Sequence, residues 1–558
     1  MAPANTDIEY TPSQVWGGGG GPPASEDNDY KDKEADIAGA DADADVTTPP
    51  SSYAESLADE RTGLHRALKA RHLSMIAVGG VIGPGWFYSI GTGFTYGGPG
   101  GVIIGFGTVG VLLYLIMQSL GELAAFISVT GSFTDYTARF LDPALAFALG
   151  WVYVVLWGGF LINEYYVLGL ICTYWQSKLP WWGFVLAGWV FFYLFGCIGV
   201  RGYGEAEFFL TWLKLLFIIS FFLCSVLITT GAIGDGGHVG FKYWRDPGGF
   251  SDGVRGVFKC FSLAAIFYAG AEMIGLTAGE AQNPGRDIPR AVRLVFIRIF
   301  VVYIGSLFFL SLVIAWNDPN LFNGTQTQAT SPYILAFTNV GLMQAGNVLN
   351  AFILTTVFSA INGALYVSSR CLVSMSRDGY APKIFGATNR YGAPYVAVAF
   401  CNAFGLLALL NLSDGAVVVY NWMVSIGGVS TFITWTSIVA CHIRFRKALK
   451  LQGISVDELP YRAAFFPYAA YVAFAGGFFL IFFQGWTVFL PPFDVQTFLM
   501  NYIMIPIFVL LALGYKLIRK TKWVDLATAD LVTGRRPYRN ASYEKEGVAK
   551  RLWANTFG

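Results

Sequence analysis

The chain has 558 residues, 54% of them hydrophobic and only 13% charged, with a formal net charge of +1. That is too little charge to cover a water-soluble protein of this length, and the net charge gives no footing for nucleic acid. Aromatic residues reach 16%, as expected where Trp and Tyr anchor helices at lipid headgroups.

Residues 1–64 come first. They hold a glycine run (Gly17 to Gly21), several prolines and acidic repeats, and Glu26 to Asp45 contain nine acids and two lysines. Such a segment cannot bury enough apolar surface to fold, so a disordered tail is expected. It does not read as a signal peptide. A bilayer core of about 30 Å needs about twenty apolar helical residues. Runs of that kind recur at about 72–91, 102–127, 144–174, 182–200, 208–230, 254–278, 291–316, 347–370, 394–412, 416–441, 467–489 and 498–518. Residues 526–558 form a polar C-terminal tail.

About twelve spans put both tails on one side, and the basic residues choose it. Arg66, Lys69 and Arg71 precede the first run. Arg286, Arg290 and Arg293 follow the sixth, and Arg377, Lys383 and Arg390 the eighth. Arg444, Arg446, Lys447 and Lys450 follow the tenth, and Lys516, Arg519, Lys520 and Lys522 the twelfth. Lys178, Lys242 and Arg245 are the main exceptions. The positive-inside rule then makes both termini cytoplasmic. The sequon at Asn323 falls on the opposite side, where glycosylation is expected.

The seven cysteines lie in apolar runs without metal-type spacing, and the four histidines lie at or beyond span ends. They read as packing residues, with no metal site. There is no nucleophile–base pair and no Walker-type sequence, so neither an enzyme nor a nucleotide-driven pump is expected. No cofactor is expected.

Two runs are poor helices. Val78 to Gly85 holds four glycines and a proline in eight residues. The sixth run is interrupted between Phe267 and Glu272 by Gly270, and carries an acid near mid-span. In a bilayer, unwound backbone is tolerated only against protein or a water-filled cavity. Freed N–H groups and a half-helix start suit a carboxylate, and paired interruptions mark transporter sites between repeats. Close packing through small residues is the structural alternative for the first break. Other buried charges also ask for a reason. Glu164 is central in the third run and Lys214 lies in the fifth. Glu122 is near the end of the second, where a structural ion pair is expected. Glu164 and Glu272 fit either a protonation role or contact with a cationic group.

The order of motifs resembles the amino acid permeases of the amino acid–polyamine–organocation superfamily, especially the fungal group. The matching stretches include Met75 to Gly85, Gly97 to Gly100, Gln118 to Glu122 and Arg201 to Glu207. Thr277 to Pro284, Ser331 to Tyr333, Ser376 to Lys383 and Gly392 to Tyr395 continue the series. The resemblance covers about residues 65–525. It implies an all-α LeuT-type fold of two inverted five-helix repeats, at about 72–231 and 254–442. Helices one and six are broken, and two peripheral helices follow at about 467–518. It implies uptake of an amino acid with a proton at the plasma membrane by alternating access. An amino acid sensor, or a permease for choline, γ-aminobutyrate or polyamines, is the alternative. By the same resemblance the substrate carboxylate meets Gly83 and Gly85, and the amine meets carbonyls around Phe267, Tyr268 and Gly270. Lys214 takes the place that sodium holds in sodium-driven relatives. The chain departs from the family at Pro84 and Trp86, where many relatives have Thr and Leu.

Overall fold

The computed structural model describes residues 68–535, except 81, 176–177, 234–236, 322–330, 343–344 and 413–415. The tail expected at 1–64, the sequon at Asn323, Arg66 and residues 536–558 lie outside the described residues. Among those described, the regular elements are helices, with isolated bridges at Leu68–Ala281 and Ile127–Arg535.

The first span is two pieces. α1 (Ala70–Gly79) ends where Gly79 and Gly80 remove side-chain support. α2 (Pro84–Tyr88) starts after Gly83, which is extended at φ −96°, ψ 178°. Pro84 therefore sits in the first helical turn, where an N–H has no carbonyl of its own helix to meet. The donor it removes is one a helix start does not use. α3 (Ile90–Phe126) is 37 residues long but not one rod, because Gly98 turns it at φ 67°, ψ 178° just before Pro99. The chain bends there from the first span into the second. Gly100 N–H donates to Gly249 O at 2.7 Å and closes the bend.

A short helix, α4 (Phe133–Phe140), leads to α5 (Pro143–Thr173), α6 (Trp181–Gly196) and α7 (Val200–Thr230). The sixth span again has two pieces, α8 (Gly253–Tyr268) and α9 (Met273–Thr277), with Gly270 at φ 87° between them. Phe267 and Tyr268, expected in the break, belong to the last turn of α8. α10 (Pro284–Ile297) widens through a π-type stretch (Arg298–Ile304) into α11 (Gly305–Val313). α12 (Pro332–Thr338), α13 (Ala345–Arg377), α14 (Tyr395–Ala403) and α15 (Ala416–Leu451) follow. α16 (Tyr468–Phe483) and a final pair, α17 (Val495–Tyr502) and α18 (Met504–Arg519), complete the series; the pair is bent by 47°.

Among the described residues, eight helical stretches are long and apolar enough to cross a bilayer, or nine with the bent pair. The interrupted α1–α2 and the shorter apolar helices at Trp181–Gly196 and Tyr395–Leu410 stand at the three other expected positions. The two breaks fall in the first and sixth expected spans, where the resemblance placed them. α7 shows how the bundle is turned outward. Phe209, Leu216 and Leu223 are more than 60% exposed, while Glu207, Thr211, Lys214 and Ile218 face inward. An apolar outside and a polar inside invert the pattern of a soluble surface helix, as lipid requires.

After α18 the chain reverses at Lys520 (φ 53°) and lies along the end of the bundle that carries the basic loops. Val524 N–H donates to Leu141 O at 2.9 Å, and Ser128 N–H to Gly534 O at 3.1 Å. Arg444 Nη2 reaches Val524 O at 2.6 Å, Arg139 Nη1 reaches Thr533 O at 2.6 Å, and Gln452 Nε2 reaches Ala529 O at 2.8 Å. Leu531, within this strap, is buried. Nearby, Glu122 pairs with His442 and Arg446 and accepts Ala463 N–H at 2.7 Å, a structural tie between α3, α15 and the approach to α16.

Candidate functional site

A cavity of about 750 Å³, including its mouth, opens where the two broken spans meet α5 and α13. Gly80, Gly83 and Gly85 line it from the first break, Phe267 from the end of α8, and Ala360 from α13. α5 contributes Trp157, Phe160, Asn163 and Glu164. Three of the expected contact residues, Gly83, Gly85 and Phe267, therefore share one cavity with Glu164. Tyr268 and Gly270 do not line it.

The glycines are close-fitting. A Cβ on Gly83 would lie 3.1 Å from Ala360 Cβ and 3.6 Å from Glu164 Oε1, and one on Gly85 would lie 3.3 Å from the Phe267 ring. Trp86 lines the cavity and is 1% exposed. Its ring meets Phe267, Tyr303 and Phe106 edge-on at centroid distances of 5.5, 4.6 and 5.7 Å. A leucine there would leave more room, so Trp86 narrows the site. Tyr303 holds one exposed carbonyl of the sixth span, its hydroxyl donating to Phe267 O at 2.8 Å. Tyr268 is turned away and donates its hydroxyl to Phe106 O at 3.0 Å.

The two mid-span acids differ. Glu164 is 4% exposed, and its Oε2 has no hydrogen-bond partner. A buried carboxylate oxygen without a partner beside a cavity suits an incoming donor. Glu272 is fully occupied. Oε1 accepts Tyr153 OH at 3.0 Å and Oε2 accepts Trp435 Nε1 at 3.0 Å. Both oxygens also accept Gly270 N–H, at 3.0 and 3.1 Å. Glu272 thus pins the second break to α5 and α15 and is absent from the cavity wall.

Lys214 lies beside the first break, outside the cavity lining. Its Nζ donates to Gly79 O at 2.8 Å and to Ser359 Oγ at 2.6 Å, and it lies 3.6 Å from Glu207. Ser359 in turn donates to Glu207, whose oxygens lie 2.7 and 2.8 Å away. All three side chains are fully buried. One cluster thus joins the end of α1, α7 and α13. Glu207 and Ser359 were not singled out from sequence. Glu207 was legible, because it stands seven residues before Lys214, two helical turns away on the same face. Ser359, on a distant helix, had no local signal.

Two broken helices around a buried, part-polar cavity, inside a bundle that is apolar outward, define a multi-pass membrane transport protein. The model of the amino acid permease family matches residues 72–527. An uncharacterized amino-acid permease of Schizosaccharomyces pombe is 39% identical, over 85% of this chain and 87% of that one. The general amino acid permease AGP3 of Saccharomyces cerevisiae is also 39% identical, over 86% of each. The lysine-specific permease LysP of Escherichia coli is 36% identical, over 84% of this chain and 97% of its own. The chain belongs to the amino acid permease family.

Proposed function

We propose that this permease is a secondary active transporter that carries an amino acid across the plasma membrane together with a proton, by alternating access, with both termini in the cytoplasm. The observation that carries the reading is the meeting of Gly83, Gly85, Phe267 and Glu164 in one cavity. A zwitterion needs N–H donors at one end and acceptors at the other. Gly83 and Gly85 offer their backbone N–H groups to a carboxylate, Pro84 having none and Trp86 N–H donating to Gly83 O at 3.1 Å. The unpartnered oxygen of Glu164 offers an acceptor to an ammonium. Relatives are named for general and for lysine-specific transport, so family membership leaves the side-chain preference open. Trp86 favours small to medium side chains.

Coupling rests on Lys214. An ammonium on the end carbonyl of α1 occupies the place of a bound cation, and unlike a metal it can release a proton. Lys214→Ala is expected to abolish proton-driven accumulation of labelled amino acid in a transport-deficient host while the protein still reaches the surface. Uptake that stays unchanged would overturn the assignment. If wild-type protein at the surface moves no labelled amino acid at either of two pH values, the sensor reading replaces transport.

A further inference from the structure

A second buried cation grips the same end of α1. Arg298, at the start of the π-type stretch, is 0% exposed. Its Nη1 donates to Ala77 O at 3.1 Å. Its Nε and Nη2 have no partner, and among the described residues no carboxylate pairs with it. The Tyr303 ring centroid lies 5.9 Å from its guanidinium. Ala77 and Gly79 belong to the last turn of α1, the negative end of the half-helix, and that turn has no basic residue of its own. Its cations come from two other elements. Lys214 comes from α7 and Arg298 from the π-type stretch.

These cations differ in one property. A lysine can lose its proton and a guanidinium cannot. A permanent buried charge with two unused donors is costly to keep unless acceptors reach it in another state. The acceptors at hand are the carbonyls of the same turn, and Gly79 O is now engaged by Lys214.

We propose that Arg298 is a positioning residue for coupling: it holds the end of α1 when Lys214 is neutral, an unused N–H of its guanidinium taking over the Gly79 carbonyl that Lys214 lets go. The inference rests on Lys214 being the coupling lysine. The proton leaves Lys214 for cytoplasmic water, Arg298 keeps all of its own, and no other bond forms or breaks. The charged groups acting on Lys214 are Glu207 from its own helix and Glu164 from α5. The titratable groups facing Arg298 are the phenols of Tyr303 and of Tyr268 in α8.

Removing Arg298 withdraws support from the neutral-lysine state, so the protonated state persists to higher pH. In Arg298→Gln, the midpoint of uptake against external pH is expected to move to a proton concentration about tenfold lower. An unchanged midpoint with a rate lowered equally at every pH would mark a merely structural tie and overturn the proposal. Hydrogen exchange on purified protein in lipid nanodiscs gives a second readout that does not need transport. In Lys214→Met, which mimics the neutral state, the amides of α1 should exchange within about threefold of wild type; adding Arg298→Gln should speed them at least about tenfold. Fast exchange in Lys214→Met alone overturns the proposal. If Lys214→Ala keeps proton-driven accumulation, the coupling reading itself fails. If only the Arg298 experiments fail, that reading stands.

Discussion

Glu272 accepts hydrogen bonds from Tyr153, Trp435 and Gly270, whereas Glu164 keeps one oxygen empty beside the cavity. Replacing Glu272 by alanine strands three buried donors. At about 1–3 kcal/mol for each unsatisfied group, a loss of about 3 kcal/mol is expected. It should appear as a lower thermal midpoint in detergent, with Glu272→Gln losing less because it keeps an acceptor. At Gly83 the prediction concerns binding. One added methyl meets Ala360 and the edge of Glu164. Gly83→Ala should raise KM by about tenfold with surface expression intact, since a misfit methylene in a pocket is worth about 1–3 kcal/mol. An unchanged KM would place the ligand elsewhere. Both acids stood out in the sequence as charges inside apolar runs, but their separate roles did not. Which donors reach Glu272 depends on helices more than a hundred residues apart.

At the scale of elements, a proline and a glycine make opposite demands. Pro84 fits the first turn of α2, so Pro84→Ala should change stability by less than about 1 kcal/mol. Gly98 sits at φ 67°, and a Cβ there would come within 2.9 Å of the 249–251 backbone. Gly98→Ala is therefore expected to cost more than about 2 kcal/mol, measured by denaturation of the solubilised protein. Both helix breaks were visible in the sequence, because glycine and proline act locally. Their edges were less so. Phe267 and Tyr268 finish a helix, and α3 runs through the expected gap between the first two spans. The bend at Gly98 is set by contact with Gly249, which no local pattern encodes.

For the whole molecule, the strap after α18 ties distant parts together without any apolar period to announce it. Its bonds go largely to backbone carbonyls, which explains why the sequence shows only a polar tail. Asp142 anchors its start, accepting from Lys516, Thr521 Oγ1 and Ala144 N–H. Burial alone would raise this carboxyl, but those three donors together hold it below its usual range. The folded value is depressed, so the stabilisation is present above the unfolded pKa of about 3.9 and disappears as pH falls through the folded value. Amide exchange along 521–531 should therefore have the same protection at pH 8 and pH 5, and lose it only in stronger acid. Asp142→Asn should remove that acid sensitivity. The apolar helices and the two breaks were legible in the sequence pattern. The strap, the Lys214 cluster and Arg298 needed three dimensions.

The first break is unequal along its length. Glycines at 79, 80 and 83 make its lower part compliant, while Pro84, with φ fixed by its ring, stiffens the upper edge. Bending is therefore confined below the proline. Flexure on the α1 side of the proline is then expected to leave the start of α2, with Gly83 and Gly85 at the cavity wall, where it is.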